Sequence, residues 1–166
     1  MIGQRLVTPV LVVLLGVTVG MSLFGCTGRR HQDRFRWQEF IDSSIRYVES
    51  STDPVYFDVR GVMPFGWETF YVFPPYTPIE DVEKALGFGW GTAKKTRIHE
   101  RDDIVLLVFV AGRTVHEYIE QPRAKGDFSR LKPGYPYSPE EAYLEVVKEE
   151  KDGQSWFVFV EAERLD

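Results

Sequence analysis

Cys26 is the only thiol in a chain of 166 residues, and it stands directly behind the only long uncharged apolar run. A lone cysteine cannot staple a fold and brings no second sulfur to a zinc site. The three histidines, His31, His99 and His116, include no pair with the spacing of a local metal box, so neither a metal nor a cofactor is expected. In "RIHERDD", Glu100, Asp102 and Asp103 beside His99 make a cluster that could carry general acid–base chemistry, although adjacent acids at a strand entrance are also ordinary solvated turn residues. Ser43-Ser44 and Ser50-Ser51 lack the G-x-S-x-G elbow that presents a nucleophile. "GFGWG" at residues 87–91 follows a helix pattern rather than a strand and lacks the lysine of a phosphate loop. What remains is aromatic surface chemistry. "FPPYTP" and "KPGYPYSP" hold Tyr76, Tyr135 and Tyr137 in stiff loops, and Trp90 lies between glycines. Rigid rings of this kind form binding surfaces at low entropic cost; the same rings also cap the ends of a core.

The composition, 43% hydrophobic and 27% charged, is that of one globular domain. A net charge of -5 offers no basic field for a polyanion, so nucleic acid is not an expected partner. From Leu6 to Phe24 the chain carries no charge, and Arg5 gives the segment a positive start. Nineteen residues at about 1.5 Å each reach across a hydrocarbon core of roughly 30 Å, so the run is either a secretory signal or a spanning anchor. Pro9, Gly16 and Gly20 weaken it as a permanent helix.

The end of this run, "LFGC", resembles the lipobox of bacterial lipoproteins, with aliphatic Leu23, small Gly25 and then Cys26; Phe24 fills a position that is usually small. The resemblance implies that residues 1–25 are a signal peptide removed before Cys26, that Cys26 carries the lipid that inserts into the bilayer, and that the domain lies outside the cytoplasm. The alternative, an uncleaved spanning anchor, places the domain on the same side. Thr27 stands where an aspartate would retain a lipoprotein at the inner membrane, so the resemblance implies the periplasmic face of the outer membrane in a two-membraned bacterium. Residues 26–34 then read as a basic tether of at most roughly 28 Å, either drawn to anionic headgroups by about 1 kcal/mol per arginine or simply a solvated polar linker.

Residues 35–166 read as a single α+β domain. "WQEFIDSSIRYV" puts Trp37, Phe40, Ile41, Ser44, Ile45 and Val48 on one side of a helix. "VYFDV" begins extended material and "WETFYVF" is a strand. Thr77-Pro78-Ile79-Glu80 predicts a capping box opening a helix that buries Ile79, Val82 and Leu86 and stops at Gly87. Ser138-Pro139-Glu140-Glu141 predicts a second such helix, carrying Ala142, Tyr143, Val146 and Val147. "IVLLVFV" is a central strand, turning at Ala111-Gly112 into a return strand that aligns Val115, Glu117 and Ile119 on one face; "SWFVFVEAE" is the last strand. The expectation is one antiparallel sheet of four or five strands with two or three amphipathic helices packed mainly on one face.

Thr77, Val82, Leu86-Gly87, Phe109, Gly112 and Val115 follow a T-x(4)-V-x(3)-L-G … F-x(2)-G-x(2)-V pattern that resembles the SmpA/OmlA (BamE-like) small envelope lipoproteins over about forty residues. That likeness implies a non-catalytic protein-binding scaffold. The "GFGWGT" segment and the final unit have no counterpart in it. The leading expectation is therefore a lipid-anchored envelope protein that binds another envelope protein or a cell-wall component. Its rival is an envelope hydrolase acting through the His99–Asp103 cluster.

Overall fold

A helix over Gly25–Ser50, α1, opens the part of the chain that the computed structural model describes, residues 25–163, with side chains from residue 34 onward. It starts well before the expected Trp37 and takes in the segment read as a basic tether. Arg, Gln and Phe continue a helix without a breaker once one turn is docked, and Trp37 and Ile41 supply that docking by being fully buried. Phe40, expected inward, lies on the flank of α1 at 41% exposure beneath the Arg36 guanidinium, 5.6 Å from its ring centre.

The remaining elements are β1 (Tyr56–Asp58), α2 (Val59–Val62), β2 (Thr69–Phe73), α3 (Ile79–Leu86), β3 (Ile104–Ala111), β4 (Thr114–Pro122), β5 (Tyr143–Lys151) and β6 (Gln154–Glu161). The mixed α and β architecture is as expected, but the strands form two three-stranded antiparallel sheets, β1-β5-β6 and β2-β3-β4, rather than one. β3 explains how both faces of the second sheet come to be buried. Its residues Val105, Leu107 and Phe109 join a core between the two sheets that also takes Trp37, Phe57, Phe128 and Phe159. Ile104, Leu106, Val108 and Val110 point the other way, into a second core closed by Ile79, Val82 and Leu86 of α3.

Two corrections concern helix entry. The capping box at Thr77 does not form: its hydroxyl donates to the Pro74 carbonyl at 2.6 Å, and α3 starts on Pro78 without a side-chain cap. Gly87 ends α3 in the left-handed conformation as expected, φ 74°. At Ser138 the reciprocal box does form, with the Glu141 amide donating to Ser138 Oγ at 3.2 Å and the Ser138 amide to Glu141 Oε2 at 2.9 Å. The turn it closes is abandoned after one residue, because Leu144 and Val146 alternate into the inter-sheet core and β5 pairs on both sides, with β1 and β6. Asp152 and Gly153, both at positive φ, turn the β5–β6 hairpin.

In β4 a bulge opposite Phe109 and Val110 leaves His116 without a cross-strand partner. Val115 therefore packs into the second core while Ile119 enters the first, so the expected single face of Val115, Glu117 and Ile119 is broken.

Candidate functional site: a tyrosine-lined cleft

The segment from Arg123 to Ala142 stitches the sheets together, and the site grows out of it. The Asp127 amide and carbonyl bond β6 at Phe157 and Phe159. Ten residues on, the Tyr137 backbone exchanges hydrogen bonds with Phe70 of β2 at 2.9 and 3.0 Å. This pairing turns the Tyr137 ring into the core, where it is 2% exposed, and sends its hydroxyl to the end of β6, donating to Glu161 Oε1 at 2.6 Å. The same hydroxyl accepts the Lys132 amide at 2.9 Å. Tyr137 is thus a bridge between the sheets and not part of an outer surface.

Around it lies a cleft of about 240 Å³ walled by Lys132, Tyr135, Tyr137, Glu141, Tyr143 and Glu161. Lys132 Nζ donates to Glu161 Oε2 at 2.9 Å and sits 5.3 Å from the centre of the Tyr135 ring. Tyr135 is 37% exposed and donates its hydroxyl to Glu141 Oε1 at 3.0 Å. The Tyr137 hydroxyl and the Lys132 ammonium hold the Glu161 carboxyl below the usual glutamate range. Burial, reinforced by the bond to Glu161, pushes the Tyr137 phenol up, and the bond to Glu141 raises Tyr135. At neutral pH Glu161 is therefore charged and Tyr135 and Tyr137 are protonated, so the cleft offers acceptors, donors and ring faces.

Tyr143 is also the wall of a second depression, about 420 Å³, bounded by Asp58, Arg60, Pro139 and Glu140. Its ring stacks on Tyr56 with centres 5.3 Å apart and planes 17° apart, and the two tyrosines remain 45% and 43% exposed. They share the outer face of the first sheet because Tyr143 faces Asp58, the residue two beyond Tyr56 on β1.

The other expected rings lie elsewhere. Tyr76 is 60% exposed in the loop before α3, and its amide donates to the Ile98 carbonyl at 2.9 Å. Trp90 is half-buried, its ring edge-on to Tyr118 at 5.2 Å and its amide donating to Glu83 at 2.8 Å. Of the four aromatic candidates, the structure brings only Tyr135 and Tyr137 together. Tyr56, Tyr143, Glu141 and Glu161 join them without having been singled out.

The acid–base cluster does not converge. His99 meets Glu100 at 3.3 Å, but Glu100 is also held by Arg97 at 3.0 Å, and Asp103 is held by Arg101 at 2.8 Å. All three acids are exposed along a turn, and the arginines keep Glu100 and Asp103 below the usual carboxylate range, which suits neither for donating a proton at neutral pH. Among the described residues no group of three His, Cys, Asp or Glu side chains is placed to hold a metal ion.

Leu23 lies outside the described residues, and Gly25 and Cys26 are described as backbone of α1 only. Comparison of the chain with family models, with curated proteins and with solved structures returned no match.

Proposed function

We propose that this protein is a lipoprotein of the bacterial cell envelope, acylated on Cys26, whose outward domain is non-catalytic and binds an envelope protein or a cell-wall component through its tyrosine-lined cleft. The observation that carries the reading is the position of the one cysteine. It stands at the joint between a charge-free run of nineteen residues and a helix that enters the core at Trp37. A lipid on that joint would hold the domain against the membrane through α1, whose first turns are rich in arginine. The chemistry of the cleft is that of recognition: paired carboxylates, protonated tyrosines and exposed ring faces, with the clustered acids of residues 100–103 tied to arginines elsewhere. With Thr27 after the cysteine, the expected site is the periplasmic face of an outer membrane.

Intact mass and membrane fractionation of the wild-type chain beside Cys26→Ser test this reading. Loss of the first twenty-five residues with gain of a diacylglyceryl group, abolished in the variant, is the expected result. A full-length unmodified chain that stays in the membrane in both forms would mean a spanning anchor instead.

A further inference from the structure

Resting on the reading of an envelope-exposed domain, we infer that the two depressions on either side of Tyr143 form one groove for a neutral glycan strand, with the Tyr56–Tyr143 pair as its stacking platform. The first argument is the exposure of rings. Among the described residues outside α1, the large hydrophobic side chains that stay exposed are four tyrosines, and three of them, Tyr56, Tyr135 and Tyr143, lie along this groove. A flat pyranose face presents C–H groups to the negative face of an aromatic ring, and a phenol adds a hydroxyl at the edge that can bond a sugar hydroxyl.

The second argument is the absence of an apolar anchor. The walls consist of Tyr, Glu, Lys, Asp, Arg, Pro and one Ala, with no Leu, Ile, Val, Met or Phe. A protein partner normally seats an apolar or aromatic hot spot in a desolvated pocket, and neither depression provides one. Hydroxylated rings need the opposite: acceptors and donors spaced along the groove, which Glu161, Glu141, Glu140 and Arg60 supply.

Charge selects among glycans. Four carboxylates, Asp58, Glu140, Glu141 and Glu161, face two cations, Arg60 and Lys132, so an anionic polysaccharide or a lipid phosphate is repelled and an uncharged strand is not. The shape fits a polymer. Tyr143 is the common wall of two neighbouring hollows of about 240 and 420 Å³, so successive sugars can occupy both with one ring stacked between them.

The experiment uses the full-length chain and its Cys26→Ser form in detergent. Co-sedimentation with insoluble chitin, an uncharged polymer of β-1,4-linked N-acetylglucosamine, is measured alongside titration with its soluble tetramer. Expected are binding by both forms, a loss of about tenfold in affinity for Tyr143→Ala, equivalent to one stacking contact of about 1.4 kcal/mol, and little change for Tyr143→Phe or Tyr76→Ala. Tyr56→Ser, which opens the other side of the platform at an exposed edge-strand position, is expected to weaken binding as well. The inference is overturned by binding no greater than that of an unrelated acidic protein, by Tyr143→Ala binding as wild type, or by preference for a lysine-rich peptide over the glycan. Because sedimentation needs no acyl chain, a lipidated wild-type protein that ignores the glycan refutes this inference alone, and a wild-type protein that binds the glycan but carries no lipid refutes only the acylation of Cys26.

Discussion

Asp127 is the acid on which the closing segment depends. It is 2% exposed, yet it stays ionised: burial alone would raise its carboxyl, but the Arg123 guanidinium at 3.0 Å and the donors of Ser129, its amide at 2.9 Å, outweigh burial and hold it below the usual aspartate range, while Trp156 Nε1 donates to the same carboxylate at 3.1 Å. A carboxyl whose folded value is depressed binds fewer protons folded than unfolded. Its contribution is therefore complete above the unfolded aspartate range, near pH 4, and is lost as pH falls through the folded value. Urea unfolding followed between pH 7 and pH 3 should show stability falling at the acid end. Asp127→Asn should remove part of that slope and cost about 2–4 kcal/mol at pH 7, since it leaves Arg123 half-buried without its counter-charge. An Asn variant with wild-type stability at pH 7 would mean that the carboxylate does not hold this segment.

At the scale of elements, three meet at Gly126, where the chain leaves β4 to pair with β6. A Cβ there would stand 2.9 Å from Phe159 Cε2 and 3.1 Å from Ile41 Cγ2, and φ is 122°. Space and backbone both demand glycine, so Gly126→Ala should cost about 2–4 kcal/mol by combined overpacking and strain, measured by denaturant midpoint. Gly153→Ala, at φ 75° in the open β5–β6 turn with nothing near its Cβ, should cost only the conformational part, about 1 kcal/mol. Equal losses in the two variants would contradict the packing argument. These junctions also mark where the sequence stops being legible. Local chemistry reveals α3 and its Gly87 cap, the apolar run of β3 and the hairpin to β4. It misleads at Ser138, where a well-formed capping box precedes a strand. There, the alternation of Leu144 and Val146 and the Asp152-Gly153 turn are the truer signals, and pairing on both edges overrides the local preference for helix. Tyr135 and Tyr137 are visible in the sequence because prolines and glycines mark their loop. Tyr56, Tyr143 and Glu161 are not, because only the pairing of strands distant in the chain brings them to one groove.

For the whole molecule, α1 both closes the inter-sheet core and leads back to Cys26 and the apolar run before it. The Trp37 ring meets Phe57, Phe109 and Phe128 with centres 5.3, 6.0 and 5.7 Å away, and its indole N–H donates to the buried Gln121 at 3.0 Å. Two strands of different sheets and the Arg123–Ala142 segment thus share one tryptophan. Ile41 adds a second fully buried side chain one turn on. Removing a buried Trp costs about 3–5 kcal/mol and a buried Ile about 2–5, against a total stability of roughly 5–15 kcal/mol for a domain of this size. A chain begun at Arg34 keeps these contacts and the bond from Arg34 to the Tyr118 carbonyl at 3.0 Å, and should unfold cooperatively with a midpoint close to that of the full chain. A chain begun at Asp42 loses both side chains and should show no cooperative transition by near-ultraviolet circular dichroism. If the shorter chain instead retains a sharp transition, the sheets close without α1, and the helix is a mobile tether. If it collapses, the helix is part of the body, and a lipid on Cys26 would fix the height and tilt of the tyrosine groove above the membrane.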